Sequence, residues 1–369
     1  MKILWFTWKD LKNPYAGGAE VVNEQLAKRL AADGHEVLFL VRGFAGGKQE
    51  EMVDGYKIVR LGNYHTVYWE AYRYYQKNLR GWADLVIEEV NTIPFFCNFY
   101  VQEKSVLFFH QLCREIWFYE MGFWKGLVGY VAEFFYLWLL GHREVITVSA
   151  STKKDLQWCG FRQQKIHIIS EGLEMAPLAD LSAVEKFPQP TLLSLGALRP
   201  MKRTDHIVRA FELAKAHLPA LQLIVAGDTT GSFGNRIKTL IAASPYRDSI
   251  QLLGRVTPER RNELMQKSHL LCAAAVREGW GLIVTEANSQ GTPAVVFDIH
   301  GLRDSVRNNV TGLICEKNTP EGMSAKIQEA LQNQAEYGKM RLAAWQWSQE
   351  ITFDRSYQDF KNVLSKLQD

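Results

Sequence analysis

The chain has 369 residues, 47% apolar and 22% charged, a balance that excludes a disordered or fibrous protein and exceeds what one hydrophobic core ordinarily supports, so two domains are expected. A net charge of only +3 demands no nucleic-acid partner and leaves an anionic surface or a phosphorylated ligand compatible. Five cysteines without a Cys-x-x-Cys pair argue against a disulfide framework or a zinc site, and for reduced thiols in the cytoplasm.

The amino-terminal "KILWFTW" reads as a buried strand. Only six residues separate Lys2 from Lys9, too few for the apolar region of a secretory leader. A turn containing Gly17 and Gly18 leads into a periodic segment with Val21, Val22, Leu26 and Leu30 on one face, and "HEVLFLVR" follows as the next strand. The apolar runs "ADLVIEEV", "SVLFFH", "EVITVS" and "IHIIS" keep this rhythm, which predicts a parallel sheet covered by helices on both faces. Between them, residues 116–140 are the most apolar and aromatic stretch. Glu120, Lys125 and Glu133 interrupt it, so a membrane-spanning helix is not expected. Two readings stay open there: helices packed in the first domain or lining its cleft, and a surface that docks on a bilayer.

Residues 174–190 hold three of the eleven prolines and no sustained apolar period, which places an interdomain linker there. The pattern then restarts with "TLLSLGAL", "LQLIVAGD", "SIQLLGRV", "HLLCAAA", "TPAVVFD" and "TGLICE". The expected architecture is α/β: two Rossmann-like, doubly wound parallel-sheet domains facing each other across a cleft. They span residues 1–174 and 175–345, and a helix within 346–369 packs back toward the first. Ligands of such sheets bind beyond the carboxyl ends of the strands.

The chemistry-bearing residues fall at those ends. Gly17 and Gly18 lie between a first strand and a first helix, where backbone amides and the helix dipole can receive an anion. The spacing is not that of a nicotinamide-binding Gly-x-Gly-x-x-Gly turn. His110 closes "SVLFFH" and offers an imidazole to a hydroxyl or phosphate. Arg199, Lys202 and Arg203 crowd the turn "ALRPMKRTDH" before a helix, so three cations are expected to converge on a pair of phosphates. In "EGWGLIVTEANSQG", Gly279 and Gly281 bring backbone close to a ligand, with Glu278 before the turn and Glu286 in the helix behind it. Carboxylates repel phosphate but accept well from vicinal hydroxyls, so Glu278 is assigned to a sugar and Glu286 to a ribose.

Together, "GGAE", His110, "VITVSASTKKDL", "GALRPMK", "LLGRVTPERRNELM", "EGWGLIVTEANSQGTPAVV" and "GLRDSVRNNVTGLI" resemble, in order and over nearly the whole chain, the retaining glycosyltransferases of family 4. The resemblance implies the GT-B fold, a nucleotide-diphosphate sugar as donor, and no cofactor or required metal. It implies that His110, Lys202 and Glu278 are catalytic, with Lys202 on the diphosphate and His110 near the transferred sugar. Donor binding would also use Gly17, Gly18, Arg199, Arg255 beside the base, Gly279, the amides of Trp280, Gly281 and Leu282, Ile283 near the nucleoside, and Glu286 on the ribose. Two positions depart from the pattern. Ala197 stands where the family usually has an arginine, with Arg199 two residues on, and Glu171-Gly172 replaces a usual Asn-Gly pair.

The implied reaction is transfer of a sugar to an acceptor hydroxyl with retention. The departing diphosphate is stabilised by Lys202 and neighbouring amides, and its oxygen takes the hydroxyl proton. Expected partners are the donor, a glycan or lipid-linked acceptor and, peripherally, the inner membrane face, with no nucleic acid. A non-catalytic nucleotide-sugar-binding subunit of a glycan-assembly complex and a nicotinamide-dependent sugar-nucleotide oxidoreductase stay open as alternatives.

Overall fold

A computed structural model describes residues 1–368. The chain divides into two compact units. The first comprises Met1–Arg114, Gly129–Glu174 and the residues from Thr352, and the second Glu115–Val128 and Met175–Ile351. Residues 115–128, placed in the first domain on sequence grounds, thus cluster with the second unit.

The first unit is built on β1 (Lys2–Phe6), β2 (Glu36–Arg42), β3 (Glu50–Val53), β4 (Tyr56–Leu61), β5 (Leu85–Glu89), β6 (Ser105–Phe109), β7 (Val145–Thr147) and β8 (Ile166–Ile168), in the spatial order β3-β4-β2-β1-β5-β6-β7-β8. All pairings are parallel except β3 with β4. That antiparallel edge is absent from the sequence reading. Its cause is the Asp54-Gly55 pair, both residues at positive φ, which closes a two-residue hairpin between Val53 and Tyr56. Alternation along β1 sends Ile3 and Trp5 to one face, with Val22, Leu26 and Leu30 of the helix Gly18–Ala32, and Leu4 and Phe6 to the other, with Val67 and Ala71 of the helix Val67–Tyr74. Both faces are buried, so the strands read as continuous apolar runs.

The helix Phe353–Gln368 completes the first face. Phe360 is fully buried and stacks on Trp5 at 6.0 Å, Tyr357 donates to Asp33 at 2.8 Å, and Arg29 pairs with Asp354. Gly172 is explained by this packing: a Cβ there would enter the Phe353 ring and backbone. Glu171 beside it is buried, and burial pushes its carboxyl up to about 8.

Residues 116–140 form two helices, Ile116–Met121 and Phe123–Leu140, broken at Gly122 with φ of 73°. Among the described residues no helix is long and apolar enough to cross a membrane. Glu133 is turned inward and accepts from the backbone amides of Cys113 at 2.8 Å and Arg114 at 2.6 Å. Trp124, Val128, Val131, Phe135 and Trp138 recur at helical spacing and are all exposed, Trp124 by 76% and Trp138 by 70%. This helix therefore presents an uncovered apolar stripe instead of burying it.

The second unit carries β9 (Thr191–Leu195), β10 (Gln222–Ala226), β11 (Ile250–Gly254), β12 (Leu270–Ala273), β13 (Ala294–Phe297) and β14 (Gly312–Cys315), in the order β11-β10-β9-β12-β13-β14, parallel throughout. The sheet order turns back at β9, where β10 lies on one side and β12 on the other, and such a switch point is where a doubly wound sheet opens a crevice. The stretch expected as an interdomain linker is fastened to this unit from Met175 on. Leu178 N–H donates to Ser289, Phe187 N–H to Lys267, and Trp345 Nε1 to Leu178. The Lys186 ammonium reaches four oxygens at 2.7–2.8 Å: the carbonyls of Gln266, Ser268 and Gly291, and Thr292 Oγ1.

Candidate functional site

Beyond β9 the chain makes a single 3-10 turn, Pro200–Lys202, and beyond β12 it makes the glycine turn that opens the helix Leu282–Ser289. β9 and β12 are neighbours, so the two segments come together at the switch point. The Lys202 ammonium is in direct contact with Glu278 Oε1. The acid side chains are only 16% exposed at Glu278 and 15% at Glu286, so neither is a freely solvated helix-end charge. Glu286 lies 4.0 Å from Arg261, an arginine that the sequence reading passed over.

The turn between the two acids is held in shape from behind. Glu278 N–H donates to His300 O at 3.0 Å. Gly281 sits at φ of 97°, where an added Cβ would meet Leu302 and Ser305, so both conformation and space require glycine. The helix starts at Leu282 with no side-chain cap. Its first amides, including those of Leu282 and Ile283, therefore have no acceptor in their own helix and form an anion-receptive end. Trp280 Nε1 is buried without a hydrogen-bond partner among the described residues.

The expected convergence of three cations is not what the structure has. Of the three, Lys202 is the one that pairs with the acidic turn. Arg199 Nη2 lies 3.2 Å from Glu120 Oε2, and Arg203, at φ of 49°, places its guanidinium 5.3 Å from the Phe297 ring centroid. Each is drawn off by a local partner, a carboxylate in one case and an aromatic face in the other. Arg255 is 73% exposed and lies 3.3 Å from Asp228.

In the first unit, His110 stands just past β6 and packs against Phe108, the rings tilted by 34° with centroids 4.4 Å apart. Its Nε2 is 3.2 Å from Asn23 Oδ1, and Asn23 Nδ2 donates to Glu89 Oε2 at 2.6 Å. An amide nitrogen only donates, so the carboxylate fixes Asn23 with its oxygen toward the ring. The imidazole then carries its hydrogen on Nε2 and keeps Nδ1 as an acceptor. Burial pushes the His110 pKa down to about 3, so the ring is neutral at physiological pH. Glu89 also accepts from the Thr7 hydroxyl, while its Oε1 has no hydrogen-bond partner among the described residues and lies 3.9 Å from His110 Nε2. Burial first, and Glu20 next, push Glu89 up to about 7. Asn23 and Glu89 are absent from the sequence reading, although two adjacent acids closing an apolar strand, Glu88-Glu89, were a signal of buried carboxylates. The Gly17 amide donates to Glu20 Oε2 at 2.6 Å. It is therefore occupied by its own helix, and Gly18 is the first residue of that helix.

Comparison with known proteins gives two family matches in tandem. A model described as Glycosyltransferase Family 4 matches residues 16–176, and one described as Glycosyl transferases group 1 matches residues 181–347. A D-inositol 3-phosphate glycosyltransferase of Salinispora tropica is 26% identical over 47% of this chain, and the match spans 37% of that relative's length. Two solved structures share the fold at low identity. Sucrose-phosphate synthase from Thermosynechococcus elongatus superposes with a TM-score of 0.79 at 17% identity, over 99% of this chain and 98% of that one. HepE of Anabaena, solved in complex with UDP-glucose, gives 0.73 at 15% identity, over 99% and 100%.

Proposed function

The chain belongs to the group 1, family 4 glycosyltransferases, and from that premise we propose that it moves a hexosyl group from a nucleotide-diphosphate sugar to an acceptor hydroxyl with retention and without a required metal. The observation that carries this reading is the Lys202–Glu278 pair at the amide-presenting turn 278–282. A cation and a hydroxyl acceptor stand side by side, and a diphosphate joined to a sugar needs both.

The anomeric C–O bond to the diphosphate breaks and a bond to the acceptor oxygen forms. A leaving phosphate oxygen takes the acceptor's proton. Lys202 and the first amides of the helix Leu282–Ser289 stabilise the charge that grows on the diphosphate. Glu278 accepts from donor-sugar hydroxyls, Glu286 from the ribose, and His110 accepts a hydroxyl through Nδ1. Membership in this family leaves the nicotinamide-dependent alternative without support. The non-catalytic subunit keeps one observation in its favour: Ala197 stands where the family usually has an arginine, and Arg199 is held by Glu120.

A thermal-shift series over nucleotide diphosphates and their sugars, followed by transfer assays with and without chelator, tests the reading. A donor at 100 times its Kd contributes about 2.7 kcal/mol to the native state, and the expected result is a melting temperature raised by several degrees for one base. Product retaining the donor's anomeric configuration, formed equally in chelator, supports the mechanism. Inverted product or loss of turnover in chelator would overturn it, and binding without turnover under any acceptor would favour the subunit.

We further propose that the protein works in the cytoplasm, peripheral to the membrane on a lipid-linked acceptor, because Trp124, Val128, Phe135 and Trp138 form an exposed stripe beside the exposed Lys125. Aromatic and basic residues together suit the headgroup region. The protein is expected to sediment with anionic vesicles, and the Trp124→Ser, Trp138→Ser double variant to lose most of that binding. Equal sedimentation of the two proteins would remove the stripe from the reading.

A further inference from the structure

The carboxyl edge of the first unit's sheet carries a second cluster, which the donor reading does not use. Arg42 ends β2, Trp8 lies two residues past β1, and Tyr64 lies three past β4. These strands are adjacent and parallel, so all three side chains come to one edge. The Arg42 guanidinium is 4.7 Å from the Trp8 ring centroid and 5.7 Å from that of Tyr64, and the two rings meet edge to face at 5.4 Å.

Contact with aromatic faces uses the flat side of a guanidinium and leaves its fork of N–H donors free. Among the described residues, no carboxylate or carbonyl accepts from that fork on Arg42. Its neighbours are different. Arg60, on β4, is buried and closed by Asp10 at 2.8 Å and Glu51 at 3.0 Å, and Lys9 is held by Glu20 at 3.3 Å and the Tyr15 carbonyl at 2.7 Å. Arg60 also lies 5.2 Å from the Phe44 ring centroid but is satisfied by acids, whereas Arg42 meets aromatic rings with its fork left open. Tyr64 is 54% exposed and Arg42 half-buried, so the fork and a ring face are both accessible. Tyr68 continues the edge, its hydroxyl within electrostatic reach of Tyr64 and Arg42 and also of Glu89.

We propose that Arg42, Trp8 and Tyr64 form an acceptor subsite for a phosphorylated sugar, the ring lying against the aromatic pair and the phosphoryl oxygens on the guanidinium fork. This rests on the transferase reading above. Arg42 and His110 lie on β2 and just past β6, separated by β1 and β5, and strands about 4.8 Å apart put the two edges roughly 14 Å from each other. The phosphate then sits on a different part of the acceptor from the hydroxyl that reacts. A soluble sugar phosphate and a lipid-linked phosphosugar offer the same group.

The full chain, first saturated with UDP to fill any nucleotide site, is titrated calorimetrically with glucose, glucose 6-phosphate and inorganic phosphate, in wild type, Arg42→Gln and Arg42→Lys. Glucose 6-phosphate is expected to bind at least tenfold more tightly than glucose to wild type. Arg42→Gln should erase that difference while leaving UDP affinity unchanged. Arg42→Lys keeps the charge and loses the fork, is expected to lose several-fold, and carries the test if the glutamine variant melts early. A second arm compares sedimentation with phosphatidylcholine vesicles with and without phosphatidylinositol. Binding that depends on Arg42 only there assigns the lipid-linked source, and glucose 6-phosphate binding assigns the soluble one. No dependence on Arg42 in either arm overturns the proposal. Failure of every nucleotide to bind overturns the transferase reading instead, and the phosphate titrations remain readable by themselves.

Discussion

Lys202→Ala is expected to lower kcat/KM by about 10²–10³-fold, the usual effect of removing one donor aimed at charge that develops in a transition state, with most of the loss in kcat. Lys202 closes a 3-10 turn and its side chain is one-third exposed, while its partner Glu278 is nearly buried. Without a ligand each neutralises the other, so neither charge is stranded in a partly desolvated turn. In the proposed reaction, binding of a diphosphate sugar gives the ammonium a stronger partner and turns the carboxylate to hydroxyls. Breaking the anomeric bond adds charge to the diphosphate, so the lysine's contribution grows in the transition state. Glu278→Gln should cost less in kcat and more in KM. The Lys202→Ala, Glu278→Gln double variant should lose less than the sum of the single losses in free energy, because each single change leaves the other group without its partner. Strict additivity, or Lys202→Ala within threefold of wild type, would show that the pair serves the fold and not the transfer.

The parts of the molecule that could be read in advance are those set by local pattern. β1, β2, β5 and β6, and all six strands of the second unit, are short apolar runs bounded by turn residues, and parallel sheets covered on both faces require such runs. The positions of Glu278 before the turn and Glu286 in the helix follow from the glycine turn and the helix start within one short segment. What was missed depends on distant residues. Asn23, Glu89 and His110 come from three elements, and only the sheet order brings them together. Arg199 and Arg203 were misjudged because a cation's direction is set by its nearest partner, here Glu120 and Phe297, which lie far away in sequence. The edge strand β3 is hidden for another reason: it is four residues long, two of them glutamates, and the Asp-Gly turn is what announces it.

Lys186→Met is expected to destabilise the protein by about 3 kcal/mol, the order expected when charge-assisted hydrogen bonds are removed and buried carbonyls lose a donor. Two effects oppose each other. Burial pushes the Lys186 pKa well down, so keeping the ammonium inside has a cost that methionine escapes. Against that, four oxygens stand 2.7–2.8 Å from one nitrogen, and they belong to the ends of the helices Pro258–Lys267 and Leu282–Ser289 and the loops that follow. After substitution some oxygens keep other donors: Arg341 Nε still reaches Gly291 O at 3.2 Å, and the Thr292 hydroxyl still reaches Ser268 O at 2.9 Å. The Gln266 carbonyl has no such substitute among the described residues. The loss therefore falls short of the full set of bonds, and at 2–4 °C per kcal/mol for a unit of this size the melting temperature should fall by roughly 6–12 °C. Because the helix Leu282–Ser289 carries Glu286 and begins at the donor turn, the same variant should also weaken nucleotide binding before it unfolds. A melting temperature unchanged or raised in Lys186→Met would mean that desolvation of the ammonium cancels its hydrogen bonds, as happens in many buried ion pairs, and that the segment following Met175 is held to its unit by its other contacts, those of Trp345, Gln290 and Arg341 with its carbonyls among them.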